Sequence, residues 1–179
     1  MIVLDASTAI LLAKAELLDA FVEAVSQPVA MPKAVERECY GRRESLDAHL
    51  IAKAITEQRI AVRVVRQQKQ YEKVRCDFPL GRGEAAAITL ALSSEDALVA
   101  ADDRQAINAC NPLKIPFFTA LTVLVRMREK GLLSTELLKR RRASWRCLRG
   151  TGAIGAHDRC GQAGAGGKLV LSCNTTVLY

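Results

Sequence analysis

The residues able to do chemistry in this chain are acids that stand where elements begin or end. Met1-Ile2-Val3-Leu4 is a short apolar run that reads as a buried strand, and it delivers Asp5 at its C-terminal end. Glu38 falls one turn after Val35 in the segment Lys33 to Cys39, so a helix there packs Val35 on the core and turns Glu38 to the rim. Glu84 opens the alanine-rich stretch that runs to Leu92, and Asp102-Asp103 follow the apolar run Ala97 to Ala101. In an open parallel sheet, ligands bind at the carboxyl ends of the strands. Asp5 and Asp102-Asp103 leave their strands at that same edge.

Each acid also has a structural explanation. Asp5 alone reads equally well as a helix cap or as a reactive group. Ser7 and Thr8 offer an N-cap for the apolar segment Ala9 to Leu18. Glu84 and Asp103 suit helix N-termini because of the macrodipole, and Glu38 alone reads as a solvated surface acid. Together they carry a different implication. Like charges gathered at one edge repel and raise one another's pKa, a cost that a divalent cation removes. An oxygen-only donor set suits Mg²⁺ or Mn²⁺. Such ions activate water and stabilise charge on a phosphoryl group, so the implied chemistry is phosphodiester hydrolysis. With only His49 and His157 present, a metal-free two-histidine ribonuclease is disfavoured. Cys39, Cys76, Cys110, Cys147, Cys160 and Cys173 form no C-x-x-C pair, which argues against zinc and for free thiols.

The elements that must position these acids alternate. Ala15 to Val25 reads as a second helix with Leu17, Leu18, Phe21 and Val25 on one face. Val29 to Met31 is a strand, and Pro32 suits the first turn of the helix Lys33 to Cys39. Glu44 to Glu57 is an amphipathic helix with Leu46, Leu50, Ala54 and Ile55 as its core side. Ile60 to Val65 is a strand, and Gln67 to Val74 a polar surface helix. Asp77 to Gly83 is a loop, and Asp103 leads into a helix that ends near Cys110. Ile115 to Phe118 is a last strand before a helix from Thr119 to Lys130, stopped by Gly131. The order predicts an α/β fold, a sandwich on a mostly parallel central sheet.

Composition bounds the rest. The chain has 179 residues, half of them hydrophobic and a quarter charged, as expected of one globular domain. No apolar run approaches a membrane span, and no signal peptide is recognised, so the expected location is the cytoplasm. The net charge of +7 is not spread evenly: Met1 to Leu138 holds 18 Lys+Arg against 18 Asp+Glu, and Lys139 to Tyr179 holds 8 against 1. Residues 1–138 therefore read as the folded domain, and 139–179 as a basic, Gly- and Ala-rich tail without apolar periodicity. Any argument for nucleic acid must rest on the site, not on the global charge.

Four segments carry a family resemblance: Val3-Leu4-Asp5-Ala6-Ser7, Pro32 to Glu38, Gly81-Arg82-Gly83-Glu84 with the alanines after it, and Leu98 to Arg104. In this order and spacing they resemble a PIN domain, most similar to the VapC-like prokaryotic ribonuclease toxins. The resemblance covers Met1 to about Leu138. It implies a Rossmann-like α/β/α sandwich and a Mg²⁺- or Mn²⁺-dependent endoribonuclease. By position, Asp5, Glu84 and Asp103 match metal ligands, with Asp102 as the other candidate for the last. Glu38 matches the helix glutamate that binds the ion or orients the attacking water, and Ser7 the small polar residue that supports Asp5. Glu84 stands where many toxins have aspartate. Arg82 and Arg104 are candidates for phosphate contact, with Arg104 alternatively pairing with Asp102. A toxin further implies an RNA substrate, a small antitoxin protein and a homodimer, docking on an exposed apolar face near Leu17 to Val25 and Leu46 to Ile55. The alternative within the family is a PIN scaffold that binds nucleic acid or protein without cutting. A haloacid dehalogenase-type phosphatase wants an aspartate where Ser7 stands, and no G-x-G-x-x-G follows the first strand to support dinucleotide binding.

Overall fold

The computed structural model describes residues 1–42 and 45–132. The predicted tail, 139–179, lies outside the described residues, as do Glu44 and the boundary at Leu138.

The first strand, β1 (Ile2–Leu4), is wholly buried and sits in the middle of the sheet. It pairs in parallel with β2 (Val29–Pro32) on one side and β4 (Leu98–Ala100) on the other. β3 (Ile60–Arg63) and β5 (Phe117–Phe118) complete an all-parallel sheet of order β3-β2-β1-β4-β5. The chain winds outward from β1 in one direction and then returns to its other side. That reversal between β1 and β4 opens a crevice at the carboxyl ends of the strands.

Alternation along β1 assigns the two faces. Ile2 and Leu4 pack into one core with residues of α1 (Ala6–Lys14), α2 (Leu18–Ala24), α3 (Lys33–Cys39), α4 (Leu46–Thr56) and α8 (Ala120–Glu129). Val3 points the other way, into a core built with α5 (Gln68–Asp77), α6 (Arg82–Leu92) and α7 (Arg104–Cys110). The result is the expected α/β/α sandwich. Small residues on α6, from Ala85 to Ala87, let it lie close on the sheet.

Several details differ from the sequence reading. The stretch read as a loop is shorter, since Asp77 ends α5 and Arg82 and Gly83 start α6, which makes Glu84 the third residue of that helix. α1 starts at Ala6 with Asp5 itself as N-cap, because Asp5 is the first residue whose carboxylate can reach a free helix amide, that of Ser7. Ser7 and Thr8 lie inside the first turn. The helix stops at Lys14, and Glu16 takes a left-handed turn (φ +52°) before α2. Pro32 ends β2 and stands at the N-cap of α3. α4 is rotated: its core side is Asp47, Ala48, Ile51 and Ala54, while Leu46 is 65% exposed and Leu50 and Ile55 are only partly buried.

Burial on and beside α2 removes the Leu17 to Val25 part of the expected docking face, while Leu46 on α4 stays exposed. Leu17, Leu18, Phe21 and Val25 all turn inward, with the Phe21 ring 6.2 Å from that of Phe118. They fill the core between α2 and the sheet and offer a partner nothing.

Candidate active site

β1 and β4 are parallel neighbours, so Asp5 and the Asp102-Asp103 pair emerge side by side at the crevice. Asp5 N donates to Ala100 O at 3.0 Å, carrying the ladder one residue past β1. The Asp5 side chain is 2% exposed. Its Oδ2 accepts from Ser7 Oγ at 2.7 Å and from Ser7 N at 3.4 Å. Its Oδ1 is buried with no hydrogen-bond partner. Ser7 Oγ also accepts from Asp102 N at 3.3 Å, so one hydroxyl joins the ends of the two central strands.

The two adjacent aspartates divide their work. Asp102 Oδ2 accepts from Thr8 Oγ1 at 2.7 Å and from Ala120 N at 2.9 Å, tying the start of α1 to the start of α8. Asp103 caps α7, with Oδ1 accepting from Gln105 N at 2.7 Å.

The two glutamates meet at the other side, at the N-terminus of α6. Glu38 Oε1 accepts from Gly83 N at 2.9 Å, and Glu84 Oε2 accepts from Gly81 N at 2.8 Å. Helix starts carry amides without intrahelical partners, and both carboxylates answer that need. Asp5, Glu38, Glu84, Asp102 and Asp103 thus each bond the protein through one oxygen. Among the described residues the second oxygen of each accepts no hydrogen bond. No three His, Cys, Asp or Glu side chains among the described residues form a ready-made ion cage. The acids make an open rim.

A family model described as a PIN domain matches residues 1–147. The chain belongs to the PIN domain family. No curated protein sequence matches it. PIN domains as a class are nucleases that typically work with divalent metal ions and bind nucleic acid.

The electrostatics of this PIN domain centre on Asp5. Burial pushes its carboxyl above the ordinary carboxylate value; the Ser7 hydroxyl and the nearby amide dipoles of Ala6 and Ser7 pull it down, and the Asp103 charge pushes it up. Glu38 is raised by desolvation, lowered by the Gly83 amide, and raised by the Asp5 charge. Glu84 is raised by desolvation, lowered by the Gly81 amide, and raised by Asp103, Asp5 and Glu38. Desolvation likewise raises Asp102, against its bonds from Thr8 and Ala120. The field reaches both faces of the sheet. Burial and then the charges of Asp5, Glu38 and Asp47 push the Cys39 thiol up to about 12, and burial and Asp5 do the same for Cys110. Both thiols stay protonated at neutral pH, so neither is a thiolate nucleophile or a ready zinc ligand.

Arg82 and Arg104 are the first residues of α6 and α7, both exposed. Neither forms an ion pair among the described residues, and the alternative pairing of Arg104 with Asp102 is absent there. A cation in the first turn opposes the helix dipole, so helix stability does not account for either. His49 is engaged on α4, its Nδ1 3.0 Å from Ser45 O. His157 lies outside the described residues.

Sequence reasoning missed three contributors. Thr8 is fully buried and holds Asp102. The amides of Gly81 and Gly83 hold the two glutamates. The only signal for the glycines was their place just before Glu84.

Proposed function

We propose that this PIN domain is a Mg²⁺- or Mn²⁺-dependent endoribonuclease that hydrolyses RNA phosphodiester bonds, and that it is the toxin of a toxin–antitoxin pair. The observation that carries the reading is Asp5 Oδ1, a buried carboxylate oxygen without a partner among other acids. A group left in that state costs stability and calls for a ligand. The donor set fits a hard divalent cation: oxygens only, one free on each acid, with no thiolate or imidazole among them. Asp5, Glu84 and Asp103 would hold the ion, which when bound supplies an activated water and charge neutralisation.

The chain's own residues do the rest. Ser7 fixes the Asp5 carboxylate through Oδ2 and leaves Oδ1 without a protein partner. Each aspartate keeps one free oxygen, but Asp102 Oδ2 carries two bonds and Asp103 Oδ1 one, so Asp103 is the less committed ligand of the pair. Glu38, fixed by Gly83, is placed to hold the ion or to accept a proton from an attacking water. Arg82 and Arg104 stand free at the rim to meet phosphate oxygens.

The second reading is a PIN scaffold that binds without cutting. It is favoured by the capping bonds, since each acid already has a structural task. RNA cleavage in Mn²⁺, comparing the parent with Asp5→Asn, separates the two. The nuclease reading expects the parent to cut and the variant to lose at least about a hundredfold, the scale of losing one group that stabilises transition-state charge. Equal cutting by both removes the assigned site.

The toxin assignment implies a small antitoxin protein, a homodimer and a cytoplasmic setting. Growth arrest on expression, relieved by a co-expressed small neighbouring protein, supports it; harmless expression of a cleavage-competent chain points to RNA processing instead. Light scattering on the purified chain reads the oligomeric state.

A further inference from the structure

We propose that Gly83 is a positioning residue for Glu38, an assignment that rests on the metal-nuclease reading for its functional consequence. Gly83 is the second residue of α6 and is buried. Its backbone is helical, so no unusual dihedral calls for glycine. Alanine is the better helix former there, by up to about 1 kcal/mol in a helix interior. The reason for glycine is space. A Cβ at Gly83 would lie 2.7 Å from Glu38 Cδ and 2.8 Å from Glu38 Oε1, closer than real contacts allow. At Gly81, by contrast, a Cβ would meet Glu84 Oε2 at an ordinary 3.6 Å.

The missing side chain therefore forms the seat of the Glu38 carboxylate, and the Gly83 amide fastens it at 2.9 Å. Glu38 needs fastening. It belongs to α3, which meets α6 directly, and although the carboxylate is partly desolvated at that contact the residue as a whole is exposed. Without this seat a flexible glutamate turns to water, and the charge that couples it to Asp5 and Glu84 leaves the rim.

Two measurements test this. The first needs no metal: amide hydrogen exchange at Gly83 in the parent and in Glu38→Ala. The Gly83 amide has no intrahelical partner, so its exchange should accelerate at least tenfold in the variant; an unchanged rate overturns the proposal. The second is Mn²⁺ titration followed by thermal unfolding, in the parent, Gly83→Ala, Glu38→Ala and the double variant. Gly83→Ala should unfold within a few degrees of the parent in EDTA yet bind Mn²⁺ at least tenfold more weakly. The double variant should bind no more weakly than Glu38→Ala alone, because Gly83 acts through Glu38. Parental Mn²⁺ affinity in Gly83→Ala, or a full additional loss in the double variant, overturns the positioning role. A parent with no Mn²⁺ response overturns the nuclease reading itself, and the exchange rate at Gly83 then still decides whether it holds Glu38.

Discussion

Asp5 Oδ1 is buried without a partner, and its carboxyl lies above the ordinary value of 3.8. Asp5→Asn keeps an oxygen for the Ser7 bonds and removes a buried charge. Its apo form should therefore be more stable, by about 1 kcal/mol, the gain from removing a buried charge being offset in part by the amide nitrogen that takes the place of Oδ1. Urea unfolding in EDTA measures this, and a large loss would mean that the charge is better solvated than its burial implies. The same group gives a pH signature. Its folded pKa is raised, so between 3.8 and the folded value the native state binds more protons than the unfolded chain. Stability from this source is fully present at pH below 3.8 and is lost as pH rises through the folded pKa. Glu38 and Glu84 act in the same direction from their ordinary value of 4.5. In EDTA the parent should thus lose stability more steeply than Asp5→Asn as pH rises from 4 to 7. Mn²⁺ should flatten the difference, since ion binding displaces those protons. Parallel curves for the two proteins would contradict the assignment.

At the scale of elements, Asp102 joins α1 to α8 through Thr8 Oγ1 and Ala120 N. Thr8→Val keeps the shape and removes one bond to a carboxylate, so a loss of about 2 kcal/mol is expected in chemical denaturation. Amide exchange should rise in α1 and α8 and stay unchanged in α5. The rotation of α4 has its own check. Ile51→Ala should cost about 2–5 kcal/mol as a buried truncation, whereas Leu46→Ala should fall within about 0.5 kcal/mol. The reverse order would restore the sequence-based face. The sequence showed β1 plainly, because three apolar residues before an acid leave little choice. It could not show where α1 begins, since Asp5, Ser7 and Thr8 are all capping residues and only the carboxylate's reach to Ser7 N decides among them. On α4, Leu46 and Leu50 compete with Ala48, Ile51 and Ala54 at the same helical spacing. Packing against α1 chose the smaller residues and buried Asp47 with them, against every rule of pattern. The five acids of the candidate site were legible, four because they stand at strand ends or beside glycine and Glu38 from its helical spacing to Val35; the amides that hold the two glutamates were not, since backbone donors leave no mark in a sequence.

For the whole molecule, the sheet order places β1 at the centre and the reversal of winding beside it, so the acids gather at the one crevice where both halves of the chain meet. The PIN match reaches residue 147, somewhat past the charge-neutral stretch that ends at Leu138. A protein ended after Cys147 should unfold within a few degrees of the full chain and keep the Mn²⁺ response that the proposed nuclease role expects. A loss of either would show that residues beyond Cys147 belong to the folded unit. Asp5 also constrains how such a molecule can decay. The carboxylate at the crevice is the same group that starts α1, so under the proposed nuclease role a copy released from catalysis is still held to a helix cap. Descendants that abandoned the reaction should carry Asn, Ser or Thr at position 5 far more often than Ala, an inherited scar of the lost chemistry.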